Sequence, residues 1–302
     1  MNSNIGSKKI QIKDESKNIS FDVYVQYPTN EPSVPTAFGP YIMNVSVNAK
    51  IMDGKFPLVI ISHGSGGSPL LYRTINTNLA ENGFIVAMVE HYGNNKMNNE
   101  LEGKNENFTN RLRHISLTID FMFSSEQFKE HLQPNNVAMI GHSIGANTAL
   151  VLAGGIPISY EDYQAKFGEP NHMEQETQEM QLNTDSRIKS IVLLALTPGW
   201  FTGDESLKNV NIPVLVLNAE KDDYIPNSQT EQFFEKLKTN SYFSYQTIKN
   251  AGHFSFLSPF PESIKSKVGL PSTDPEGFDR YRFHEHLPKD ITDFLRNKLD
   301  VN

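Results

Sequence analysis

This sequence contains no cysteine. That removes disulfides, thiolate metal sites and cysteine nucleophiles together. It holds no run of 18 apolar residues, so no membrane span is expected. Basic charge is also short: 27 Lys+Arg stand against 35 Asp+Glu, a net charge of -8. Binding nucleic acid needs a basic face to neutralise phosphates, so no such partner is expected. Residues 1–6 lead into a polar, charged stretch and not into the apolar segment of a signal peptide. A cytoplasmic location is the resulting expectation. No cofactor is expected and no metal: His284 and His286 flank Glu285, but two ligands are too few. They read as surface or hinge residues. Internal repeats and low-complexity tracts are absent as well.

The 302 residues are 38% hydrophobic, enough for one sizeable core, and residues 1–302 read as a single domain. Residues 21–27 alternate as Phe21, Val23, Val25 and Tyr27, the pattern of an early antiparallel edge strand. Residues 28–50, with Pro28, Pro32, Pro35, Gly39 and Pro40, read as an irregular excursion. The pattern then changes. Residues 56–61, 84–89, 137–140, 188–196 and 213–217 are continuous apolar runs, as expected of strands buried on both faces. Helical spacing lies between them: Leu112, Ile115, Ile119 and Met122 share one face, and Phe233, Phe234 and Leu237 another. A last strand is expected over 242–248, and a closing helix carries Ile291, Phe294, Leu295 and Leu299. Strands alternating with helices imply an α/β chain with a doubly wound, mostly parallel sheet.

Residues 141–145 read Gly-His-Ser-Ile-Gly, between an apolar strand and a small-residue helix. The pentapeptide alone would occur by chance in about one chain in ten of this length, so its context decides. A strand, G-x-S-x-G and a helix form the nucleophile elbow of the α/β-hydrolase fold. The serine is Ser143. A serine hydroxyl needs a base, and the base needs a carboxylate to fix its tautomer. In this fold the chain order is serine, acid, histidine. His253 follows the last expected strand, after Gly252. The acid belongs on the preceding loop, where Asp222 and Asp223 are adjacent. The spacing A-x-x-D-x-x-x-P selects Asp222 through Ala219 and Pro226, with Glu220 third. Oxyanion donors are expected from the backbone N–H of Ile144 and from the loop Ser62-His63-Gly64-Ser65-Gly66-Gly67. In that loop the N–H of Ser65 is the choice. His142 reads as a packing residue beside the serine. His91 and Trp200 follow strand ends and read as substrate-pocket residues.

One segment breaks the alternation. Residues 155–186 carry Glu161, Asp162, Glu169, Glu174, Glu176, Glu179 and Asp185 against Lys166 alone. They read as a small cap or lid insertion, or as a solvated surface loop.

The stretches F-P-L-V-I-I-S-H-G-S-G-G (56–67), L-A-E-N-G-F-I-V-A-M-V-E-H (79–91), V-A-M-I-G-H-S-I-G-A-N-T-A-L (137–150) and A-G-H-F-S-F-L (251–257) carry a family resemblance. The chain resembles the serine esterases grouped with dienelactone hydrolases, above all the branch of plasma-type platelet-activating-factor acetylhydrolase. The resemblance implies hydrolysis of carboxylic esters through Ser143, Asp222 and His253. Dienelactone hydrolase itself uses a cysteine, absent here, so its substrate does not carry over. The lipid-docking parts of the acetylhydrolases are not recognisable either. The expected partner is a small soluble ester with a short acyl group. The competing readings are a catalytically silent receptor on the same fold, and an amide hydrolase or acyltransferase using the same triad.

Overall fold

The computed structural model describes residues 3–168 and 183–299. Ten strands among them form one sheet. In chain order they are β1 (Asn4–Asp14), β2 (Ile19–Thr29), β3 (Val34–Phe38), β4 (Tyr41–Val47), β5 (Phe56–Ser62), β6 (Ile85–Val89), β7 (Leu132–His142), β8 (Ile188–Leu194), β9 (Val214–Ala219) and β10 (Phe243–Ile248). The helices are α1 (Arg73–Glu81), α2 (Asn105–Ser124), α3 (Ile144–Leu152), α4 (Tyr160–Phe167), α5 (Asn227–Leu237), α6 (Glu262–Val268) and α7 (Arg280–Lys298). Across the sheet the order is β10-β9-β8-β7-β5-β6-β2-β1-β4-β3. Strands β5 to β10 run parallel to one another. Strands β1 and β2 pair antiparallel, and β2 meets β6 antiparallel.

The apolar runs are continuous because the sheet has a core on each face. Along β7, Val137 and Met139 join one core while Ala138 and Ile140 join the other. Leu112, Ile115, Ile119 and Met122 of α2, with Phe233 and Leu237 of α5, cover the first face. Ile75 and Leu79 of α1, with Leu287, Ile291 and Leu295 of α7, cover the second. Helices α2, α5 and α7 thus bury the stripes that their sequence period marks.

Two expectations are corrected at the N-terminal side, and a strand that the sequence pattern did not mark appears there. Strand β2 is not an edge, because β1 and β6 flank it. The charged stretch before it is β1, whose Lys9, Gln11 and Lys13 face solvent while Ile5, Ile12 and Asp14 are buried. Residues 28–50 contain a hairpin, β3 and β4, turning at Gly39 (φ 59°) and Pro40. Pro35 is tolerated because β3 is the outermost strand, where a missing N–H costs no ladder bond.

Candidate active site

The C-terminal ends of the parallel strands meet at one rim, where open α/β sheets bind ligands. Ser143 lies between β7 and α3 with φ 56° and ψ -125°, a backbone region that non-glycine residues avoid. Its neighbours enforce the turn. A methyl group on Gly141 would sit 2.1 Å from the Gly145 carbonyl oxygen, and one on Gly145 would sit 2.1 Å from that of Ser62. The Ser143 N–H donates to the Leu194 carbonyl (2.9 Å), which ties the turn to β8.

His253 opens a short 3-10 turn, His253–Phe256, after β10. Its Nδ1 lies 2.9 Å from Asp222 Oδ2, and both side chains are almost fully buried. The other carboxylate oxygen, Oδ1, accepts from the N–H groups of Tyr224 (2.9 Å) and Ile225 (3.1 Å). Asp222 is thereby locked in a turn and aimed at the imidazole. Asp223, exposed, lines a cavity instead and makes no bond to His253. His142 packs beneath the pair: its Nε2–H donates to the His253 carbonyl (2.9 Å), and its ring lies 5.0 Å from that of His253.

Ser143, Ile144 and His253 open on a cavity of about 500 Å³. Its other walls include Ser65, Phe108, Tyr163, Trp200 and Tyr224. Trp200 stacks on Tyr163 of α4 at 4.3 Å. Pro157, Ile158, Tyr160 and Phe167 line the cavity as well, so the described part of 155–186 contributes a wall. Residues 169–182, with Glu169, Glu174, Glu176 and Glu179, lie outside the described residues. Asp185 does not line the cavity; Arg187 holds it through Nε (2.8 Å) and Nη2 (2.6 Å) and also bonds Asp120 (2.6 Å). Among the described residues two carboxylates line the cavity, Glu102 and Asp223, against one cation, Lys104.

The loop after β5 closes on the serine. A methyl group on Gly64 would come within 3.4 Å of Ser143 Cβ and 3.0 Å of His142 Nδ1. The Gly64 N–H is engaged by the Tyr72 hydroxyl (3.3 Å). Ser65 follows it and lines the cavity.

His91 is a correction: it does not line the cavity. Its ring is fully buried, with Nε2 2.8 Å from Ser62 Oγ and Nδ1 3.3 Å from His114 Nδ1. A residue just past a strand end can face inward as readily as toward the rim, and His91, two residues beyond β6, faces inward. His284 is corrected too. It is buried between Thr74 Oγ1 (2.8 Å) and the Ser255 carbonyl (3.0 Å), while His286 is exposed. Among the described residues no cluster of three His, Cys, Asp or Glu side chains is placed to hold a metal.

The sequence reading missed Arg111 of α2. Its side chain is fully buried and has no carboxylate partner among the described residues. It donates to the carbonyls of His63 (2.7 Å) and Gly64 (3.3 Å) and to Asn94 Oδ1 (2.6 and 2.9 Å). Burial lowers its pKa to about 9, so it remains a cation at neutral pH. An arginine at helical spacing normally reads as solvent-facing, so periodicity held no signal for it.

Burial keeps five histidines neutral. The pKa falls to about 3 in His63, His114 and His142, to about 4 in His284, and well below the ordinary value in His91. Unfolding restores a value near 6.5, so the unfolded chain takes up protons that the fold refuses. Their stabilising contribution is complete above pH 6.5 and is lost as pH falls toward 4. At pH 5 each accounts for about 2 kcal/mol at most, against a total stability of ~5–15 kcal/mol. Thermal melts should give a Tm about 10–20 °C lower at pH 5 than at pH 7.5. A flat Tm over that range would contradict neutral burial.

Comparison with known proteins fits this geometry. The family model described as the prolyl oligopeptidase family matches residues 72–260, more than half of the chain. The chain belongs to the prolyl oligopeptidase family. A second model, platelet-activating factor acetylhydrolase isoform II, matches residues 29–111 of this family member. The platelet-activating factor acetylhydrolase of Bos taurus is 24% identical over 236 residues, 63% of this chain and 46% of that protein. Its Canis lupus familiaris counterpart is 27% identical over 157 residues, 37% of this chain and 35% of that protein. The chain therefore spans less than half the length of these relatives. Among solved structures, a ferulic acid esterase from Streptomyces cinnamoneus superposes with TM-score 0.72 at 17% identity, covering 100% of this chain and 92% of that one. A dienelactone hydrolase-like promiscuous phosphotriesterase from metagenomic libraries gives 0.58 at 11% identity, covering 97% and 98%. The α/β-hydrolase fold and the esterase resemblance read from the sequence are borne out. The widest family match, prolyl oligopeptidase, is one that the motifs did not single out. No helix among the described residues is long and apolar enough to cross a membrane.

Proposed function

We propose that this member of the prolyl oligopeptidase family is a serine hydrolase of small soluble carboxylic esters. The observation that carries the reading is the His253–Asp222 pair, bonded at 2.9 Å, on the cavity that Ser143 enters. Nδ1–H of His253 donates to Asp222, which leaves Nε2 with its lone pair to take the serine proton. The Ser143 hydroxyl makes no hydrogen bond among the described residues, and such contacts tighten only when substrate binds. Ser143 Oγ attacks the ester carbonyl as its proton passes to Nε2. The carbonyl oxygen gains negative charge and accepts from the N–H groups of Ser65 and Ile144. Collapse breaks the bond to the alcohol oxygen, which leaves with the proton from Nε2. Water then attacks the acyl-serine by the same route and releases the acid.

The substrate is neutral, with a short acyl group near Ser143 and its larger part against Trp200 and Tyr163. Residues 155–168 act as a cap over that part. Glu102 and Asp223 oppose an anionic ester at the mouth, so screening by salt should relieve the discrimination. Stopped-flow mixing with p-nitrophenyl acetate should release a burst of about one p-nitrophenol per protein chain. Matched neutral and anionic esters should differ in kcat/KM at low ionic strength and converge at high. No hydrolysis by folded protein would favour the silent-receptor reading, and an optimum at long acyl chains would overturn the short-chain assignment. The family match favours peptide-bond hydrolysis as the second reading. Peptidyl p-nitroanilides turned over faster than the esters would select it.

A further inference from the structure

We infer that Arg111 is a positioning residue for the oxyanion loop, acting through the Gly64–Ser65 peptide. The inference rests on the ester-hydrolase reading of Ser143 for its kinetic consequence. The Gly64 carbonyl accepts three donors at once: Arg111 Nη2 (3.3 Å), the Gly67 N–H (3.1 Å) and His63 Nδ1 (2.7 Å). The His63 tautomer follows from its other nitrogen. Nε2 accepts the His91 backbone N–H (3.2 Å), so the proton is on Nδ1 and is given to Gly64. In a trans peptide the carbonyl and the next N–H point in opposite directions, and no cis peptide occurs among the described residues. With the Gly64 oxygen held toward Arg111, the Ser65 N–H is turned toward the cavity that Ser65 lines.

The charge matters as much as the aim. The imidazoles next to the guanidinium, His63, His91 and His114, are all buried and held neutral by burial. Arg111 is therefore the one cation in this cluster. No carboxylate bonds the guanidinium among the described residues; Glu102 Oε1 accepts from the Ser65 hydroxyl instead (2.9 Å). Donation to the Gly64 oxygen draws electron density along the peptide and makes the Ser65 N–H a stronger donor. A positive charge fixed behind the donor also favours the negative charge that appears in the transition state. A ground-state ester has no such charge, so the effect belongs to kcat and not to KM. Asn94 completes the device. Its amide oxygen takes Nε and Nη2 of Arg111, while its Nδ2 donates to Ser65 Oγ (2.9 Å) and Asn99 Oδ1 (2.6 Å). The guanidinium is thus satisfied by neutral acceptors alone, which preserves its charge.

Two substitutions test this, each assayed on an ester and on its thionoester, whose sulfur accepts hydrogen bonds poorly. Arg111→Lys keeps the charge but not the fork that reaches His63, Gly64 and Asn94. Asn94→Asp keeps the guanidinium and neutralises it with a carboxylate of nearly the same shape, at the loss of the Nδ2 bonds to Ser65 Oγ and Asn99 Oδ1. Both should lower kcat for the ester ten- to a hundred-fold, with KM within two-fold. Both should cost the thionoester at least three-fold less. Equal losses on both substrates would assign Arg111 a structural role only, and unchanged kcat would remove the inference. The amide 15N resonance of Ser65 supplies a readout independent of turnover. It should move upfield in Arg111→Lys, as the bond to the preceding carbonyl weakens, while that of Gly155 stays. An unmoved Ser65 resonance would overturn the link. Should Arg111→Lys not fold, Asn94→Asp carries the kinetic test alone. Wild-type protein inert toward esters would overturn the ester reading, and the Ser65 resonance would still decide the contact.

Discussion

Replacing Ser143 with alanine should reduce ester turnover by about 10⁶-fold, close to 8 kcal/mol of transition-state stabilisation. On the proposed mechanism the loss is this large because nucleophile, base and acid work as one unit. Without Oγ, neither His253 nor Asp222 has a proton to handle. A fluorophosphonate should label the wild-type chain on Ser143 alone and leave the alanine variant unlabelled. The fold should not suffer. Alanine keeps the Cβ and hence the same strained backbone at φ 56°. Glycine at the same position relieves that strain, so Ser143→Gly should be equally inert but more stable, by ~1–3 kcal/mol. Melting curves of the two variants separate chemistry from folding. An alanine variant with a rate near that of wild type, or a label mapped elsewhere, would move the nucleophile to another residue.

The parts of this molecule that the sequence reveals are those where one physical demand acts on adjacent residues. Val137, Ala138, Met139 and Ile140 are apolar in a row because both faces of β7 are covered. Gly141 and Gly145 flank Ser143 because no side chain fits against the backbone there. Asp222 stands apart from Asp223 through the turn that Tyr224 and Ile225 close on its Oδ1. Where the demand is shared with distant residues, the signal fades. Strand β1 looks like a polar leader because its lysines face solvent, while its partners come from β2. The β3–β4 hairpin hides behind prolines that an outermost strand tolerates. His91 and Arg111 belong to a polar cluster assembled from β5, the loop after β6, and α2, residues 62 to 114. No local spacing announces such a cluster. The side chains that line the cavity from α4 and α5 are legible only as aromatic or polar residues, not as walls.

The proposed acid offers the sharpest separation between neighbours. Asp222→Asn should lower kcat by about 10⁴-fold, while Asp223→Asn should change it less than five-fold. In the wild type, Oδ2 accepts from His253 Nδ1, and the imidazole keeps a lone pair on Nε2. Asparagine preserves Oδ1 and its bonds to the N–H groups of Tyr224 and Ile225, so the turn and the stability persist. The second oxygen becomes an NH2 group. It donates to Nδ1 and forces the ring proton onto Nε2, where it blocks transfer from Ser143. The imidazolium formed in the transition state also loses its counter-charge. Asp223 has neither role: it is exposed at the cavity mouth and meets no imidazole. Its substitution should act on substrate charge instead, narrowing the gap between neutral and anionic esters at low salt. Measuring kcat for both variants on one neutral ester decides the assignment. A larger loss in Asp223→Asn would exchange the two roles, and equal small losses would remove the acid from the mechanism.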